Sequence, residues 1–180
     1  MVSALKNTTG DIAKLSLAFA IAGLVGGIAS RGAMFLGLAV FGALCGVSLG
    51  LALRSRRIGL VATVVGAATF LAGGALAFVT GMTVGVTLGS PDWYDALVPA
   101  FLGACVGIAG GLGLYAPARR AGYSWRSVAG LALGFAVAAM VGQAWLLPAL
   151  PPGVGADAVP FALWGLLGGL GFSLPGRARA

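Results

Sequence analysis

The sequence predicts an all-α fold: a polytopic integral membrane bundle of six transmembrane helices, built from three parallel helical-hairpin repeats in one domain spanning residues 1–180. Three observations predict it. Charged residues are 8% of the chain and hydrophobic residues 59%, against about a quarter charged in a soluble domain, so there is too little charge to cover a water-facing surface. The apolar residues run in unbroken blocks of ~20, the length that crosses a hydrocarbon core. One pattern, G-x-x-x-G-L-x-[LF] and then arginines, occurs three times, from Gly46, Gly107 and Gly165, at intervals of 61 and 58 residues.

A polar lead with Lys6, Asp11 and Lys14 precedes the first apolar block, 15–30. Asp11, and the lack of a soluble domain after Ser30, favour a retained helix over a cleaved signal peptide. Ala18, Ala22, Gly26 and Ser30 form a small-residue row at four-residue spacing, suited to close packing in lipid. Arg31 and Gly32 make a turn, and the second helix covers 32–53 with Gly42, Gly46 and Gly50 on one face. The third block, 58–88, is longer than a bilayer requires. Glycine and β-branched residues dominate its last third and are weak helix formers, so the reading ends the helix near Thr80 and makes the rest irregular.

Ser90-Pro91-Asp92 has the chemistry of a helix start. The fourth helix follows over 96–116, with a kink at Pro99 and a stop at Pro117. Residues 128–147 form the fifth helix. Pro148, Pro151 and Pro152 interrupt helix over 147–159, and Pro160 opens a sixth helix ending at Leu174. The hairpins are then about 12–57, 58–120 and 128–179.

Charge sets the threading. With the N-terminus inside, ten of the eleven lysines and arginines are cytoplasmic and only Arg31 is outside. This bias predicts cytoplasmic N- and C-termini in a prokaryotic inner membrane. The net charge of +7 is then a product of orientation, with attraction to anionic lipid at the cytoplasmic face. It is not a nucleic-acid footprint. A protein partner or a second copy is a further expectation.

Little in the chain supports catalysis. Histidine is absent, which removes the commonest general base and metal ligand. No ionisable side chain falls at mid-membrane depth, where proton relays and ion paths place theirs. Ser48 has no base to activate it. The reading is therefore a non-enzyme without a cofactor. The tetrapeptides 110–113 and 168–171 are both Gly-Gly-Leu-Gly, but they lie within apolar helices and lack the strand and lysine of a phosphate loop. The repeat glycines Gly46, Gly50, Gly107, Gly111, Gly165 and Gly169 are read as helix-packing positions.

Thr80, Thr83, Thr87 and Ser90 share one face if that segment is helical and are candidates for a cavity wall, unless their hydroxyls bond their own backbone or a neighbouring helix. Gln143 is the one intramembrane amide and can face the same cavity. Trp93 and Tyr94 are interfacial aromatics; with the segment from Thr80 to Asp95 they can also form an outer lid. The layout of six helices, about 180 residues, inside termini and a small-residue row on the first helix resembles the substrate-binding components of energy-coupling-factor vitamin transporters. The likeness is one of layout over the whole chain and transfers no residue. It is in keeping with a small transport or solute-binding protein, which can be a substrate-binding component that works with an energising partner. The alternative class is a non-catalytic structural or assembly subunit of a larger membrane complex.

Overall fold

Each apolar block folds as helix in the computed structural model, which describes residues 9–88 and 94–174. In chain order these are α1 (Thr9–Ser30), α2 (Met34–Ala52), α3 (Arg56–Leu88), α4 (Tyr94–Ala118), α5 (Trp125–Val141), the single turn α6 (Leu147–Ala149) and α7 (Val154–Ser173). A 3₁₀ turn, Arg119–Ala121, follows α4, and a π turn, Gly142–Leu146, joins α5 to α6. Four stretches, Gly10–Ser30, Met34–Ala52, Arg56–Val84 and Leu97–Ala121, are long and apolar enough to cross a membrane; Trp125–Val141 and Ala158–Ser173 are shorter apolar helices.

The six longer helices form a closed ring. Each packs on the next, and α7 returns to α1. The outside of the ring is apolar: Leu51 is 74% exposed and Leu60 71%. The fold thus has a basic end, holding the α2–α3 and α4–α5 turns, and a far end, holding the α1–α2 turn and α6. At the basic end Arg54 adopts the left-handed conformation, φ 50°. The Ser55 amide donates to the Gly50 carbonyl at 3.0 Å and the Arg54 amide to that of Leu51 at 3.1 Å. This Schellman arrangement satisfies the last carbonyls of α2. Ser55 also starts α3, its Oγ accepting from the Ile58 amide at 3.3 Å.

Glycine sets the helix spacing. A Cβ on Gly46 would strike the backbone of Ala62 and Thr63 on α3, and one on Gly50 that of Gly59. On α4, a Cβ at Gly107 would lie 2.6 Å from the Ala132 Cα on α5, and one at Gly111 3.1 Å from a Val128 methyl. On α7, Gly165 abuts the backbone of Phe19 on α1, and a Cβ at Gly169 would lie 2.8 Å from the Ser16 Cα. All six glycines are buried.

Several boundaries differ from the sequence reading. Helix α3 does not end near Thr80 but continues to Leu88, 33 residues in all. Propensity is a weak prior, and the Thr83 and Thr87 hydroxyls add to the turn by donating to the carbonyls four residues back, at 2.9 and 2.7 Å. Pro160 does not open the last helix; it lies inside α7, which starts at Val154. The stretch 147–159 is mostly helical, with only residues 150–153 outside helix, because the Pro151-Pro152 pair falls within the break. Helix α4 passes through Pro117 to Ala118, since proline blocks only the bond to the carbonyl four residues earlier.

The glycine contacts rank the cost of adding a side chain. Gly107→Ala meets backbone and should lower stability in detergent by about 1–3 kcal/mol. Gly111→Ala meets a valine methyl and should cost less, and Gly142→Ala, with its nearest neighbour 3.6 Å away, should be near neutral. Thermal melts of the three variants check the order; equal melts would refute it.

Candidate functional site

The candidate site is a cavity of about 410 Å³ in the far half of the ring. Five of the six ring helices build it. Met34 and Leu38 come from α2, Gly74, Ala77 and Phe78 from α3, and Pro99, Leu102 and Val106 from α4. Ala139 at the end of α5, Gly142 and Gln143 in the π turn and Leu147 form another wall, and Pro160, Phe161 and Trp164 of α7 complete it. Its rim is open, since Met34, Phe78, Gln143 and Leu147 are exposed.

The π turn has an identifiable cause. Pro148 offers no amide and its ring displaces the carbonyl four residues before it. The preceding turn widens, and the Leu147 amide donates to the Gly142 carbonyl, five residues back. Such insertions rotate the side chains beyond them and recur at functional sites. Here the widened turn carries Gln143 to the cavity. Its amide makes no hydrogen bond with another described residue, which leaves a donor and an acceptor for a ligand.

Below the cavity the bundle is plugged by aromatic rings. Phe41, Phe70 and Phe135, from α2, α3 and α5, are fully buried and their ring centres lie 5.1, 5.7 and 5.8 Å apart. Trp164 packs 5.3 Å from Phe135, and Phe161 stacks on Trp164 at 5.6 Å. Towards the basic end, Tyr123 stacks on Phe172 at 5.0 Å. Beyond them lies a smaller polar recess of about 190 Å³, lined by Asp11, Lys14, Arg54, Tyr123 and Ser173 among others. The axis therefore runs from apolar cavity to aromatic plug to polar recess.

Of the residues proposed from sequence for a cavity wall or lid, Gln143 alone among those described lines this cavity. Thr80 borders a separate recess between α3 and α4, with Leu97 and Phe101. Thr83 and Thr87 are exposed and bonded to their own helix. Trp93 lies outside the described residues, and Tyr94 opens α4. The stretch from Thr80 to Leu88 continues the helix instead of folding over the mouth; residues 89–93 are outside the described residues. Ser48 donates to the Leu44 carbonyl at 2.8 Å. Sequence reasoning missed the aromatic cluster, because a phenylalanine within an apolar helix gives no local sign of which others it will meet. Pro148 was the available signal for the widened turn.

The plug gives a direct test. Phe135→Ala removes a ring with no exposure and should cost about 3–5 kcal/mol. Phe101→Ala, at a position 51% exposed, should cost far less. Equal thermal melts in detergent would show that the rings do not hold the bundle.

No protein-family model, curated protein or solved structure matches this chain.

Proposed function

We propose that this chain is a small multi-pass membrane protein of the solute-binding or transport type, whose far-end cavity takes an apolar or aromatic small molecule with one hydrogen-bonding group. The observation that carries this reading is the cavity itself. Its volume of about 410 Å³ lies in the range of small-molecule sites, and rings and aliphatic walls with few polar groups are their usual lining. Phe161 and Trp164 offer stacking surfaces, and Gln143 offers the directional contact. The plug separates bound solute from the basic end, so passage through the ring would require the aromatic cluster to part. An open cavity with an amide that bonds no other described residue favours this reading over a structural subunit, and the repeat glycines are buried within the ring rather than held out to a partner.

Six membrane crossings fit this reading. Helix α5 is short at 17 residues, but helical backbone continues through the π turn and α6 to Ala149, ~37 Å at 1.5 Å per residue. Helix α7 has 20 residues, ~30 Å. Three hairpins also fit. Each copy of the repeat packs on the first helix of another hairpin: α2 on α3, α4 on α5, and α7 on α1. The register is shared, since Gly46 and Gly50 oppose Ala62 and Gly59, Gly107 and Gly111 oppose Ala132 and Val128, and Gly165 and Gly169 oppose Phe19 and Ser16. We place the basic end in the cytoplasm on the charge bias.

Two experiments test these proposals. Native mass spectrometry of the chain released from gentle detergent should show a small-molecule adduct. Ala77→Phe should abolish it by filling the cavity, and Gln143→Leu should weaken it about tenfold, the worth of one hydrogen bond. A protein partner recovered with no adduct, and with both variants unaltered, would select the subunit reading. For topology, Ser3→Cys and Ala178→Cys, made in a chain lacking Cys45 and Cys105, should resist an impermeant thiol reagent in intact cells. Labelling of either would overturn the threading.

A further inference from the structure

The basic end carries a second feature that the solute reading does not use. Where α3 begins and α4 ends, a recess of about 350 Å³ is lined by Ser55, Arg57, Ile58, Val61, Arg119 and Arg120, with Ala116 and Pro117 beneath. Two turns bring its arginines together. The left-handed Arg54 ends α2 so that α3 starts immediately, placing Arg57 in the first turn. The 3₁₀ turn after α4 places Arg119 and Arg120 opposite it. All three arginines are exposed, and none pairs with another described residue.

Among the described residues, no carboxylate lines this recess. Glutamate is absent and there are four aspartates. Asp11 lies at the basic end but borders the other recess, beside Lys14 and Arg54. Asp95 and Asp157 are at the starts of α4 and α7, the opposite end of the ring, and Asp92 lies outside the described residues. Three guanidinium groups around one recess, with no carboxylate among its lining residues, have the chemistry of an anion site. Their planar forks match phosphate oxygens two at a time. Ser55 adds a donor, because its Oγ accepts from the Ile58 amide and its own hydrogen remains available.

We propose that this recess binds the phosphate of an anionic phospholipid headgroup. The apolar half of the lining decides for lipid over a soluble phosphate. Ile58, Val61 and Pro117 form the apolar side of the recess between α3 and α4, and Val61 is 45% exposed on the outer surface. A headgroup held by the arginines therefore leaves its acyl chains lying along apolar helix, whereas a soluble anion leaves that wall bare. The proposal rests on the membrane placement above, with this end at the bilayer surface, and is independent of the far cavity's ligand.

The test uses the full chain in neutral detergent, titrated with phosphatidylglycerol or phosphatidylcholine and read by native mass spectrometry. The wild type should retain one phosphatidylglycerol through activation that strips phosphatidylcholine. The variant Arg57→Gln, Arg119→Gln, Arg120→Gln should lose roughly a hundredfold in affinity for phosphatidylglycerol. A charge-matched variant, Arg54→Gln, Arg56→Gln, Arg126→Gln, should retain it. Equal loss in both would show diffuse surface attraction and overturn the site, as would full displacement of the lipid by millimolar inorganic phosphate. If the pocket variant fails to fold, single Arg119→Gln and Arg120→Gln changes, each expected to cost about fivefold, give the same reading. Resistance of the wild type to carbonate extraction from membranes checks the placement separately, so its failure is distinct from failure of the site.

Discussion

The close approach of helix backbones at glycine is the constraint on which the rest of this structure depends. Between helices in lipid there is little hydrophobic gain, because the surroundings are as apolar as the side chains; association rests on van der Waals contact and hydrogen bonds. Contact of that kind grows as the backbones near one another, and a missing side chain permits the nearest approach. In this chain the approach is tight enough that a Cβ on Gly46, Gly107 or Gly165 would meet backbone atoms of the facing helix. A backbone cannot move aside as a side-chain tip can. The contact between α7 and α1 closes the ring across nearly the whole chain length, and Gly165 and Gly169 lie in it.

Tight walls leave the interior to larger side chains, and their distribution divides the bundle. Five rings from four helices, Phe41, Phe70, Phe135, Phe161 and Trp164, gather in the middle. Towards the far end, small residues such as Gly74, Ala77 and Gly142 line the space instead, and a cavity remains. The irregular turn before Pro148 contributes at the same place. A regular helix there would bond its own backbone fully and carry Gln143 in another direction; the widened turn gives up regularity and brings an amide to an otherwise apolar wall. The two ends of the ring thus differ in chemistry, with an apolar cavity at one and arginine-lined recesses at the other.

Much of this was legible in the chain. The apolar blocks located all six longer helices, and the six repeat glycines lie in helix contacts, as do glycines outside the repeat such as Gly23, Gly103 and Gly134. Helix ends were less legible. The run from Thr80 to Leu88 has poor local propensity yet forms helix, because extending a helix already formed adds a backbone hydrogen bond for each residue fixed. Pro117 and Pro160 sit inside helices for a related reason: each removes one hydrogen bond, and the packing around it retains the others.

What the sequence by itself determined is the all-helical character, the apolar exterior and the segregation of the arginines, Arg31 apart, to one end. These depend on composition and order, which sum along the chain and can be read in any window of residues. Only the tertiary structure decided which side chains share a space. The cavity wall joins Leu38, Ala77, Leu102, Gln143 and Trp164 from five separate parts of the chain, and the three threonines that share a helical face are left out of it. A cavity is the volume remaining between helices. Its size and lining follow from helix spacing and rotation, which are set by contacts between residues far apart in sequence and are recorded in no single stretch of it.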